Sequence, residues 1–111
     1  MKRKATQVPR QVRQGDVLVE ETTMAVPVAA KRRARENGRV VLAHGEVTGH
    51  AHALADPGVA LYDADDLALL EVDQLSEVRH DEHGAVTVTP GRHEVIRQSE
   101  YTPAAIRNVA D

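Results

Sequence analysis

The chain has 111 residues, 41% of them apolar, with no cysteine, tryptophan or phenylalanine and a formal net charge of −3. That length fits one domain. The absent cysteines exclude disulfide staples and thiolate metal sites, and the acidic balance argues against a surface built to hold nucleic acid. No apolar run approaches the roughly 20 residues of a membrane helix, and no apolar stretch of signal-peptide length follows the basic start, so a cytoplasmic protein is the default expectation.

Tyr62 and Tyr101 are the only aromatic residues apart from the histidines. Phenylalanine and tryptophan normally bury about 150–250 Å² each. Without them the core must be thin layers of Val and Leu, or the chain must bury surface against copies of itself. A homo-oligomer, dimer or trimer, is therefore expected.

Residues 1–14 are basic and carry Pro9, and they read as a loosely ordered N-terminus ahead of a domain spanning 15–111. Gly15-Asp16 turns into the alternating run VLVEE, a strand start. Pro27 demotes TMAVPVAA to an edge strand or an irregular segment. The basic clusters MKRK and Lys31–Arg35 lack interleaved aromatics and read as a frayed end and a solvated loop. Asn37-Gly38 between apolar runs predicts a hairpin.

Residues 39–54 read as one strand, or as two joined near Gly45 or Gly49. ADPG at 55–58 is a turn by composition. Short strands are expected at 59–65 and 67–73, the second also compatible with a helical turn. LSEVRHDEHG closes on Gly84, AVTVTP alternates, and Pro90-Gly91 turns into RHEVIRQ. Thr102 as N-cap and Pro103 at the first helical position predict a short C-terminal helix. Strands every 8 to 12 residues point to an all-β fold, a small barrel or sandwich.

Six histidines are unevenly placed: His44, His50 and His52 in one segment, His80 and His83 in HDEHG, and His93 after a Pro-Gly turn. Side chains alternate along a strand, so His50 and His52 share a face, about 6.5–7 Å apart. That spacing lets two imidazoles converge on one metal. His80 and His83, three apart, can meet on one side of a turn. The expected ligands are His50, His52 and His83, then His80.

Imidazole with an optional carboxylate suits Zn, the first expectation, or Fe, Ni, Cu and Co. An open coordination position would activate water, with Glu82 or Glu46 as general base. A closed site would be structural.

Residues 45–52, GEVTGHAH, resemble the first half of a cupin signature, and residues 84–93, GAVTVTPGRH, resemble the second. That likeness implies a small metal-binding β-barrel with His50, His52 and His93 as ligands, as in metal-dependent dioxygenases, isomerases and lyases. The His-x-His flanked by small residues is also similar to trimeric phage spike tips. There a β-prism or β-helix encloses one iron between three chains.

Two functions compete at this point. One is a minimal zinc- or iron-dependent hydrolase, lyase or oxygenase acting on a small molecule. The other is a non-catalytic, metal-stabilised assembly module. A sensor of acid through histidine protonation would bind no metal.

Overall fold

The computed structural model of the protein describes residues 10–45 and 50–98, and every regular element among them is a β-strand. The expected C-terminal helix lies outside the described residues, as does Glu46. β1 (Gln11–Gln14) and β2 (Val17–Glu21) form a hairpin in register Gln14↔Val17. Gly15 supplies a positive φ of 58° at the first position of the two-residue turn, a conformation open to glycine at little cost. The expectation of loose order thus fails at 11–14. Arg13 and Gln11 face outward while Val12 and Gln14 face in, the alternation of a half-buried strand.

Residues 22–30 cross as irregular chain. Then come β3 (Lys31–Arg32) and, after a turn with Asn37 at φ 54° and Gly38 at φ 80°, β4 (Val40–His44). Two positive φ angles mark the I′ geometry that Asn-Gly favours. Glu36 and Arg39 exchange backbone hydrogen bonds of 2.8 and 3.0 Å across it. β5 (Ala51–Leu54) pairs with β4, and a bulge between Val41 and Ala43 sets Ala43 opposite His52.

β6 (Val59–Ala64) and β7 (Leu67–Val72) form a hairpin, so the segment at 67–73 is strand rather than helical turn. β8 (Ser76–Val78) and β9 (Val86–Val88) form another hairpin, and β10 (Gly91–Arg97) closes the described chain. Six strands make one antiparallel sheet in the order β1-β2-β10-β7-β6-β3. The β4–β5 and β8–β9 hairpins are joined by a bridge between Ala53 and Arg79, with hydrogen bonds of 3.0 and 2.8 Å. The architecture is all-β in several sheets, with no closed barrel among the described residues.

The core lies where these sheets meet. Val17, Val19, Leu61, Leu70 and Val72 come from the large sheet, while Val40, Leu42, Leu54, Val78 and Val88 come from the hairpins. A smaller cluster, Val41 with Ala51 and Ala53, packs on the other face of β4–β5. β5 therefore sends Ala51 and Ala53 one way and His52 with Leu54 the other.

Two arginines in the cluster read as a solvated loop are wired into the fold. Arg33 makes a two-pronged contact with Asp63 and donates to Val41 O at 2.8 Å. This hydrogen-bonded guanidinium holds the Asp63 carboxyl below its ordinary range. Arg35 donates to Gly38 O, Asp56 O and Val59 O at 2.9, 2.7 and 3.0 Å, binding two turns together.

Leu70 has no exposed surface and sits on a strand paired on both sides, opposite Leu61 and His93. Leu70→Ala is expected to cost about 2–5 kcal/mol through lost burial and a residual cavity. Urea denaturation measures it, and a loss below about 1 kcal/mol would contradict this core assignment.

Candidate metal centre

His52 is the buried member of a four-imidazole cluster. It sits on β5 with only 2% of its surface exposed. His50 precedes β5, whereas His80 and His83 lie in the loop between β8 and β9. The ring of His80 is 4.4 Å from His52, 4.7 Å from His83 and 5.7 Å from His50, centroid to centroid. His52 and His83 are 5.8 Å apart and nearly parallel, at 19°. The two sequence-predicted pairs are thus brought together.

The other two histidines stand apart. His44 is exposed and lies 3.3 Å from Glu36. His93 is buried, with Nε2 against Thr89 O at 2.8 Å.

Sequence reasoning missed the residue that orders the cluster. Gln14, buried at the end of β1, donates from Nε2 to Val78 O at 3.0 Å and to Gly84 O at 2.9 Å. With both amide hydrogens committed, Oε1 can only accept, and it faces His52 Nδ1 at 2.8 Å. Nδ1 of His52 therefore carries the proton, and Nε2 presents its lone pair. A ligating histidine needs this arrangement, with one nitrogen held by a neighbour and the other free for metal. The local signal was the inward alternation of Val12 and Gln14, which puts a polar side chain where it must find partners.

Carboxylates ring the cluster. Asp16 Oδ1 lies 3.5 Å from His52 Nε2, and its Oδ2 meets Arg97 Nε at 3.1 Å. Asp81 and Glu82 approach His50 at 3.5 and 3.6 Å. His50 Nδ1 is buried and has no hydrogen-bond partner among the described residues. Two glycines make room for the rings: a Cβ at Gly15 would stand 2.8 Å from His83 Nε2, and one at Gly45 3.3 Å from His80 Nε2. Among the described residues no three histidine or carboxylate side chains are already placed to share one ion.

Burial pushes the His52 pKa down, helped by the neighbouring His80 and His83, while Asp16 opposes it. A depressed imidazole binds fewer protons folded than unfolded, so its contribution is present above the ordinary value of about 6.5 and lost as pH falls below it.

A family model described as "Domain of unknown function (DUF8820)" matches residues 13–98. The chain belongs to this family. No curated protein and no solved structure matches it. The DUF8820 match takes in Gln14, Asp16 and all four clustered histidines. A separate groove of about 580 Å³, lined by Arg32, Gly58, Glu71 and Arg92 among others, contains no histidine. No helix of the described residues is long and apolar enough to cross a membrane.

Three outcomes follow from this geometry. Gln14→Ala removes the partner of the buried Val78 carbonyl, of His52 Nδ1 and of the part-buried Gly84 carbonyl, at about 1–3 kcal/mol for each buried group left unsatisfied. Chemical denaturation should show a loss of about 2–6 kcal/mol, that cost for each of the two buried groups. Imidazole nitrogen NMR should find His52 as the Nδ1–H tautomer in the parent chain. Stability should also decline as pH falls below about 6.5, read by thermal unfolding. A Tm that rises on acidification across that window would refute the depressed His52.

Proposed function

We propose that this domain binds one transition-metal ion through the imidazoles of His50, His52 and His83, with His80 as their close neighbour. The observation that carries this reading is the Gln14–His52 hydrogen bond at the centre of a four-histidine cluster. It fixes one buried imidazole in the tautomer that offers Nε2. Nδ1 of His50, buried and without a hydrogen bond among the described residues, faces Glu82 Oε2 at 3.6 Å and adds a second candidate donor. Zn²⁺ is the favoured ion, because nitrogen donors with nearby carboxylates suit it and no thiolate is present.

The cupin likeness supports a metal-binding β domain but not its whole ligand set, since His93 Nε2 is taken by Thr89 O. In a catalytic version Glu82, exposed on the rim, would serve as general base to an ion-bound water acting on a small molecule. The alternative is a closed, non-catalytic site that stabilises a homo-oligomer.

Titration of the full chain with Zn²⁺ should give one ion per chain. His83 is exposed, so His83→Ala should keep the fold while weakening Zn²⁺ binding at least as much as loss of a supporting partner, about 10–100-fold. Gln14→Ala should fall within that same range. Absence of stoichiometric Zn²⁺ on the parent chain defeats the reading. Dissociation of an oligomer on chelation would favour the assembly version, and an unchanged oligomer the catalytic one.

A further inference from the structure

The groove of about 580 Å³ lies apart from the histidines, on the large sheet. β6 sends Val59 and Leu61 into the core, and β7 sends Leu70 and Val72 there. Alternation therefore puts the register partners Ala60 and Glu71 on the outward face. The ladder runs one step further, where Asp73 N–H donates to Gly58 O at 3.1 Å. Two acidic residues on one side thus stand opposite an alanine and a glycine. The hollow forms over those two small positions.

Its walls carry opposite charges. Glu71 is engaged, with Oε2 3.3 Å from Arg92 Nε, and Arg92 also donates to Met24 O at 2.9 Å. The Asp73 carboxylate lies across Gly58 so closely that a Cβ there would overlap it. Arg32 lines the groove from β3, on the opposite side of β6 from β7. Arg32 and Asp73 are both exposed, and neither side chain has an ion pair or a hydrogen bond among the described residues. An uncompensated cation and an uncompensated anion therefore share one groove without touching.

We infer that this groove binds a small zwitterion, an amino acid whose ammonium group meets Asp73 and whose carboxylate meets Arg32. A ligand with one charge would leave the opposite wall uncompensated, whereas a zwitterion answers both. The guanidinium offers a carboxylate two parallel donors, and the ammonium offers Asp73 a charge-assisted hydrogen bond. Arg92 neutralises Glu71, which leaves Asp73 as the acceptor for the ammonium. The volume falls within the roughly 300–1,000 Å³ of small-molecule sites. The site shares no residue with the histidine cluster, so it stands independently of the metal-binding reading.

The test is amide NMR of the full chain during titration with unbranched amino acids of rising length: glycine, β-alanine, γ-aminobutyrate and ε-aminocaproate. One length should shift the amides of Gly58, Ala60 and Arg32. It should bind about tenfold more tightly than butyrate or butylamine, each of which carries only one of the two charges. Arg32→Gln and Asp73→Asn change exposed side chains and should each weaken that binding about tenfold, with Zn²⁺ uptake unaltered. Absence of shifts with every member of the series overturns the inference. So does butyrate or butylamine binding as tightly as the best amino acid, or unchanged affinity in either variant.

Discussion

Three hydrogen bonds from one buried amide organise this domain. Gln14 joins β1 to Val78, Gly84 and His52, groups 64, 70 and 38 residues away in sequence. A buried amide stays stable only when every donor and acceptor is met. The β8–β9 loop and β5 are therefore registered against each other through a side chain belonging to neither. If the loop slipped by one residue the Gln14 donors would lose their carbonyls, its oxygen would lose its orientation, and the His52 tautomer would cease to be defined. This amide fixes the tautomer of the buried histidine of the cluster and holds both ends of the loop that carries His80 and His83.

The layers around it use arginine where many small domains use large aromatics. Arg33 ties the β3 region to β4 and β6, Arg35 ties two turns, and Arg97 joins the end of β10 to Asp16 and to His44 O at 2.9 Å. A guanidinium has several donors in a fixed plane, so one side chain can cap several carbonyls. These links are half-exposed and individually modest. Their effect is to hold irregular connections over a core made almost wholly of Val, Leu and Ala.

Much of this was legible in the chain. Gly15-Asp16 and Asn37-Gly38 announced their turns because positive φ has few residue choices. The alternation of VLVEE and AVTVTP announced strands. His50, just ahead of β5, and His52, on it, both meet the ring of His80. Other features carried no local mark. A hydrogen bond from Gln14 to Val78 leaves no trace in the residues around either. β1 was masked by basic residues and Pro9, although its inside–outside alternation was present. The linking roles of Arg33 and Arg35 were hidden because the carbonyls and carboxylate they hold belong to distant segments.

The pairing of β2 with β10 has a consequence for how the protein comes into being. Val17 lies opposite Arg97, and Gln98 N–H reaches Asp16 O at 2.8 Å. During synthesis the first hairpin must wait for almost the entire described chain to leave the ribosome before its neighbour in the large sheet exists. Such distant pairing slows folding compared with a chain of local contacts. Until that last strand docks, the Arg97 side chain is not in place against Asp16 and His44 O, so this edge of the histidine cluster is completed only when synthesis has nearly ended.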